Sequence, residues 1–307
     1  MKIKENIMLK KLDHHLMPMW VRESWNIHEL NQGSQKTLFA LIRRGLKRFH
    51  SEQPLVSIVI PAWNEEKTIA RTLYSLSRIQ TNYPTEIIVI NNNSTDGTQS
   101  ILDACGVRSI MEVRQGVAHA RQTGLLAAKG TYLLCGDADT LYPTTWVDTL
   151  MNELKKDDVV VAWGKHSFVP SEQNTRAGFA AYEVVKQTFY RFRDLKRPYL
   201  NAMGANVGYK RNVALRAGGY DTTAKVGEDG RLAMLMMKYG RITGVRSQKA
   251  TVWTDSRRFK FDNGLLHSLV RRAMKEVPRI AEYAGLTKRD ITKLAGFPSH
   301  VNTIGQE

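Results

Sequence analysis

The chain has 307 residues, 42% of them hydrophobic, and 45 Lys and Arg against 29 Asp and Glu give it a formal net charge of +16. That length holds one large α/β domain with extensions or two small domains with a sizeable core, and the composition is that of an ordinary globular protein rather than a low-complexity or disordered chain. The positive balance selects anionic partners, among which nucleic acid, an acidic membrane face and phosphorylated substrates all qualify.

Residues 1–53 are basic and irregular, with Pro18, Trp20 and Trp25. They end in an amphipathic stretch where Leu38, Leu41, Ile42, Leu46 and Phe49 recur at helical spacing and Arg43, Arg44, Lys47 and Arg48 fill other positions. Such a helix either packs on the main domain or docks on an anionic membrane, and Gly45 weakens it slightly. The start, 1–11, has lysines but no apolar core or cleavage site of a secretory signal, and no run reaches the roughly eighteen apolar residues of a spanning helix. The expectation is a cytoplasmic protein, peripheral at most on the inner face of the cell membrane. Cys105 and Cys135 fall in no metal-type spacing and read as reduced core thiols.

From residue 54 the pattern changes to short β-branched runs alternating with helical segments. Residues 55–60, 86–90, 131–135 and 159–162 read as strands, and 65–76 and 98–104 as helices. This predicts a mostly parallel sheet covered by helices on both faces, with ligands beyond the carboxyl ends of the strands. Three polar loops fall there: Pro61-Ala62-Trp63-Asn64-Glu65-Glu66, Asn91 to Thr98, and Asp137-Ala138-Asp139. Taken singly, the first two are helix caps or turns. The third sets two carboxylates one residue apart after a buried strand, an oxygen donor set suited to Mg²⁺ or Mn²⁺ held against a diphosphate.

Farther on, 170–201 has helical character and many charges, among them Arg176, Lys186, Arg191, Arg193, Lys196 and Arg197, and is a stretch expected to shape the acceptor groove. Glu228-Asp229 opens a helix through Leu232 and Leu235, a place where acids favour the positive end of the dipole, and Met234, Met236 and Met237 read as core packing. Arg257 and Arg258 read as a surface pair or as phosphate ligands. His166 and His267 are possible additional contacts to metal or acceptor. Beyond 260, Leu265, Leu269, Met274, Val277 and Ile280 mix with Arg271, Arg272, Lys275 and Arg279, a second basic amphipathic stretch interrupted by Pro278. The expected division is a basic helical extension at 1–53, a catalytic domain at 54–260 and a basic amphipathic tail at 261–307. Two basic ends around a core motivate contact with an anionic membrane surface.

The motifs in order resemble the inverting family-2 glycosyltransferases with a GT-A fold, over roughly residues 54–258. Val59-Ile60-Pro61-Ala62-Trp63-Asn64-Glu65 is similar to the family's opening segment, Asn93 to Thr98 to the loop after the second strand, and Gly116 to Gly124 to the segment leading to the metal motif. Asp137-Ala138-Asp139 stands where the family's Asp-X-Asp would. Gly204-Ala205-Asn206, Gly218 to Asp221 and Glu228-Asp229 resemble the acceptor half, and Thr254 to Phe259 a segment that sets arginine against the diphosphate. Asn91 departs from the family's usual aspartate and brings no charge to the nucleobase.

The resemblance implies a metal-dependent inverting transfer from a nucleoside diphosphate sugar to a carbohydrate or lipid-linked acceptor hydroxyl. It implies Asp229, with Glu228, as general base. Asp139 holds a divalent cation, Mn²⁺ or Mg²⁺, and Asp137 contacts ribose or shares the metal. Pro61, Ala62, Trp63, Glu65, Asn91, Asn93, Arg121, Arg257 and Arg258 face the donor. The competing readings are a basic nucleic-acid-binding protein, for which no helix-turn-helix, zinc or RNA-binding signature is present, and a nucleotidyltransferase, whose Gly-rich basic loop is missing from Pro61 to Glu66. No specific nucleic acid partner is therefore expected.

Overall fold

Alternate side chains along each β-branched run face opposite sides of a sheet, so every such run supplies two cores at once. The computed structural model describes residues 16–27, 35–171, 174–224 and 227–257, with 259, 265, 267–271, 273–274 and 276. Its strands are β1 (Val56–Ala62), β2 (Thr85–Asn91), β3 (Arg108–Met111), β4 (Tyr132–Cys135), β5 (Thr140–Leu141), β6 (Val159–Gly164), β7 (His166–Phe168), β8 (Val207–Lys210), β9 (Arg241–Val245) and β10 (Val252–Thr254). A 7-stranded sheet runs β3-β2-β1-β4-β8-β6-β9, and a smaller sheet runs β5-β10-β7. In the large sheet β8 is antiparallel to β4 and β6 while the other neighbours are parallel.

The helices are α1 (Met19–Trp25), α2 (Gln35–Leu46), α3 (Ile69–Ser77), α4 (Thr98–Cys105), α5 (Val117–Ala127), α6 (Trp146–Leu154), α7 (Arg176–Lys196), α8 (Arg211–Arg216) and α9 (Glu228–Met236). On one face of the sheet Ile58, Ile60, Ile87 and Val89 pack with Leu73 and Leu76 of α3 and Trp146 and Leu150 of α6. On the other, Val59, Ile88 and Ile90 meet Leu125 of α5 and Leu232 and Met236 of α9. Both cysteines are buried and unpaired. Met234 and Met237 are exposed, so of the three methionines only Met236 joins the core.

The N-terminal region is part of this packing. Leu38, Ile42 and Leu46 of α2 are buried in the same cluster as Ile58 and Leu73, so the apolar face of α2 is already covered by protein. Gly45 has a structural reason to be there: a Cβ at that position would sit 2.8 Å from the Cβ of Ser77 on α3, so the two helices cross where one residue has no side chain.

Chain order places the site. From β1 the chain winds outward through β2 to β3, and β4 then returns to the other side of β1. The loops after β1 and β4 therefore leave side by side at the point where strand order reverses, the place where open α/β sheets bind ligands. The predicted helix at 65–76 begins only at Ile69, because the residues before it are engaged elsewhere. Asn64 has φ 54°, and the backbone N–H groups of Asn64, Glu65 and Glu66 donate to Ser94 Oγ (3.0 Å), Thr98 Oγ1 (2.8 Å) and Asp96 Oδ2 (3.1 Å). The first two polar loops brace each other.

Leucine at position 45 overfills the α2–α3 crossing, and overpacking of this kind costs about 1–3 kcal/mol. Gly45→Leu is expected to lower the melting temperature despite its better helix propensity; an unchanged or higher value would show that the crossing is loose.

Candidate active site

Gly136 turns the chain out of β4, where a Cβ would run into the Tyr142 hydroxyl and Ile60. Ala138 is buried and its carbonyl accepts from Thr72 Oγ1 at 2.8 Å, which directs Asp137 and Asp139 on either side of it into a cleft of about 1350 Å³. Their side chains are 23% and 20% exposed, enough to meet a ligand. Pro61, Ala62, Trp63, Glu65, Arg121, Glu228 and Asp229 share the cleft wall.

Two arginines organise the acids. Arg121 of α5 is fully buried; its Nη2 donates to Asp137 Oδ1 at 2.8 Å, and its Nε lies 3.4 Å from Glu228 Oε1 and 3.3 Å from Asp229 Oδ1. Those last two separations are ion-pair distances without hydrogen-bond geometry, since Arg121 Nε, Arg121 Nη1 and Asp229 Oδ1 have no hydrogen-bond partner. Asp229 sits in the first turn of α9, its Oδ2 accepting from Gly204 N at 2.8 Å. Burial pushes its carboxyl up to about 7, Arg121 opposing this and the nearby Glu228 and Asp137 reinforcing it. Gly204 is required here because a Cβ would overlap the Arg121 guanidinium.

Arg257 is the second centre. Its Nη2 donates to Asp139 Oδ2 (2.9 Å) and to Glu65 Oε1 (3.0 Å) and Oε2 (2.9 Å), while Nε lies 3.4 Å from Asp255 Oδ2. The small sheet makes this meeting possible: antiparallel pairing of Thr254 with Thr140 brings Asp255 beside Asp139, and Asp255 N donates to Asp139 O at 3.2 Å. Burial raises the carboxyls of both Glu65 and Asp255, against the pull of Arg257 on each.

Some expected donor residues are turned away. Asn91 is buried with its Oδ1 accepting from Ser94 N (3.0 Å) and its Nδ2 donating to Gln99 Oε1 (2.8 Å), so its amide shapes the loop and is not part of the cleft wall. Asn93, at φ 57°, is exposed and also outside that wall; its neighbour Asn92 reaches it instead. Arg258 lies outside the described residues. His166 lines the cleft, with its ring centroid 5.5 Å from that of Phe168, whereas His267 is exposed and does not.

Asp255 is the acid that the sequence reading passed over, although it follows the apolar strand β10 just as Asp137 follows β4. The far wall, formed by Phe168, Tyr182, Tyr190, Tyr199 and Phe259 with Met234 at its edge, draws three of its rings from the stretch 170–201, whose charges stand out in the sequence more than its aromatic residues. These residues are scattered between positions 168 and 259, and only folding collects them.

A sheet that reverses order at an acid-lined cleft is the architecture of the GT-A glycosyltransferases, and solved structures agree. A mannosyltransferase from Pyrobaculum calidifontis in complex with GDP-Man and Mn²⁺ superposes with a TM-score of 0.51 at 19% identity, over 84% of this chain and 76% of that one. The model of glycosyl transferase family 2 matches residues 57–216, and the chain belongs to that family. It is similar to the chondroitin synthase of Escherichia coli, 25% identical over 251 residues, 69% of this chain and 37% of that protein. It is also similar to the dolichol-phosphate mannosyltransferase of Saccharomyces cerevisiae, 32% identical over 107 residues, 32% of this chain and 40% of that one. The chain spans less than half the length of these curated relatives. Membership in that family favours the glycosyltransferase reading of the acid-lined cleft over the nucleotidyltransferase one.

The residues present fit a divalent cation. Asp139, Asp255 and Glu65 are all-oxygen donors gathered around one positive group, the Arg257 guanidinium, which marks a place of concentrated negative charge. Among the described residues no three acids or histidines form a ready cage, so a hard cation would need phosphate oxygens or water to complete its shell, as Mg²⁺-type sites commonly do.

Removing the buried cation strands three acids. Arg121→Met is expected to destabilise the fold by about 3–5 kcal/mol, the usual cost of leaving a buried charge uncompensated; a thermal melt superposable on wild type would refute the role of Arg121 as their common partner.

Proposed function

We propose that this chain is a metal-dependent inverting transferase that moves a sugar from a nucleoside diphosphate sugar to the hydroxyl of a carbohydrate or lipid-linked acceptor. The observation that carries the reading is Asp229: a buried carboxyl raised to about 7, with Oδ1 lacking a hydrogen-bond donor, in the cleft that also holds Asp137 and Asp139. A general base works best with a pKa near the operating pH. The Pyrobaculum mannosyltransferase, whose structure contains GDP-Man and Mn²⁺, supports the donor class.

On the donor side, Trp63 is 57% exposed at the cleft edge, positioned to cover a nucleobase, with Pro61 and Ala62 beside it. Asp137 contacts ribose. Asp139, with Asp255 and Glu65 near it, holds the cation, which when bound supplies positive charge to the departing diphosphate. Arg257 is released from those carboxylates to hydrogen-bond the diphosphate oxygens, a charge-assisted contact. Arg258, next in sequence, is assigned to the same group.

On the opposite side the acceptor lies against Tyr182, Tyr190 and Tyr199. Its hydroxyl gives its proton to the Asp229 carboxylate as the oxygen bonds to the anomeric carbon, and the bond from that carbon to the diphosphate breaks on the far face. One displacement inverts the anomeric centre. Gly204 N holds Asp229 Oδ2 and so orients the carboxylate. Glu228 raises the basicity of Asp229 through its charge. Arg121 stabilises the conjugate anion, keeping the base usable near neutrality.

Asp229→Asn is expected to retain donor binding and lose about 10²- to 10⁴-fold in transfer rate. In wild type the rate should rise with pH through about 7 as Asp229 loses its proton, and the rising limb should vanish in the variant. Transfer at wild-type rates by Asp229→Asn would remove it from the role. Asp139→Asn should abolish the extra thermal stabilisation that a nucleoside diphosphate gains from Mn²⁺; equal stabilisation in both proteins would move the cation elsewhere.

A further inference from the structure

Helix α7 buries Phe179 and Tyr182 in the core but departs from ordinary amphipathic patterning on both its sides. Its inward side carries charge: Arg176 Nη1 and Nη2 pair with Glu183 Oε1 and Oε2 at 2.9 and 2.7 Å, and buried Lys186 donates to His166 O at 3.1 Å while lying over the rings of Phe168, Tyr182 and Tyr190. Its outward side carries a largely apolar stripe edged by Arg191 and Lys196. Ala177, Ala181, Val184, Thr188 and Leu195 recur at i, i+4, i+7, i+11 and i+18, one face of a helix, and all are exposed. Val184 is 66% exposed and Leu195 74%, with Val185 and Phe192 flanking them. A helix facing only water places its charges outward and its apolar stripe inward.

The stripe continues on a neighbour. Leu265 and Leu269 pack on the cluster containing Phe179 and Tyr182, and Glu276 pairs with Arg193 at 2.6 Å, so the helical residues 267–271 lie alongside α7. There Val270 and Met274, one helical turn apart, are 50% and 61% exposed.

Charge selects the occupant of this face. Arg191 and Lys196 flank the stripe on the exposed side, whereas the acids of α7 are turned away, Glu183 inward and Asp194 onto Asn201 and Arg246. Apolar residues flanked by basic ones are the composition of a surface that lies in the interface of an anionic bilayer. A second copy would bring another chain of formal charge +16 against the same basic flanks.

We propose that the apolar outward face of α7, together with Val270 and Met274, is a docking surface for an anionic lipid bilayer. The same two helical segments line the cleft through Tyr182, Tyr190, Ser268 and Arg271. Docking there sets the tyrosine wall at the lipid surface and assigns the transferase an acceptor presented from the membrane. That consequence rests on the proposed function; the docking does not.

Flotation of the purified full chain with phosphatidylcholine vesicles, with and without phosphatidylglycerol, tests it. Wild type should float with the anionic vesicles at about 0.1 M salt and lose binding as salt rises. Val184→Glu with Leu195→Glu should abolish flotation, and Arg191→Gln with Lys196→Gln should weaken it about fivefold per charge removed. The first pair lies outside the cleft, so nucleotide-induced thermal stabilisation should stay as in wild type, which separates failure of docking from failure of the transferase reading. The proposal is overturned by wild type remaining in solution with anionic vesicles, by the Glu variant floating as well as wild type, or by light scattering that shows a wild-type dimer which the Glu variant dissociates.

Discussion

A buried guanidinium holds the cleft together. Arg121 reaches from α5 toward Asp137 on the loop after β4 and toward Glu228 and Asp229 at the start of α9, groups that are far apart in sequence. Isolated, each acid would be neutralised or driven into water by the cost of desolvating its charge. With one cation among three acids the balance is incomplete, and the surplus negative charge, added to burial, keeps Asp229 near neutral pKa. The feature that makes the region expensive to fold is the one on which the proposed proton transfer rests.

Arg257 repeats the arrangement nearer the solvent. Its partners Glu65, Asp139 and Asp255 come from the ends of β1, β4 and β10, and the small sheet fixes their approach. Because Arg257 is half-buried and Arg121 wholly so, the two differ in access: solvent reaches the Arg257 guanidinium, whereas that of Arg121 is enclosed by its acids. The cleft thus has an enclosed end around Asp229 and a more open end around Asp139.

Much of this was legible in the sequence. Strands β1, β2 and β6 are largely buried runs whose β-branched composition marks them, β4 is a short apolar run, and the acids after β4 stand out as a close pair of carboxylates directly after it. Strand β3, largely exposed at the sheet edge, and β8, interrupted by Gly208, carry no such pattern. Asn91 looked like a ligand because its residue type and position suited one; its amide is consumed by Ser94 and Gln99, which only the folded loop reveals. Asp255 was hidden by a three-residue strand whose pairing depends on Thr140, over a hundred residues away. The helical character of 170–201 was legible but not which of its charges are buried: Arg176, Glu183 and Lys186 point inward, since ion pairing and ring contacts within the fold replace water.

Carbon-detected NMR titration of the aspartate carboxyls, with Asp229→Asn to assign the signal, measures the poise of the base directly. One carboxyl titrating near 7 is the expected result. If every aspartate instead titrates within about a unit of the ordinary value near 4, the Arg121 cluster does not hold Asp229 as described, and the acid–base account of the cleft fails.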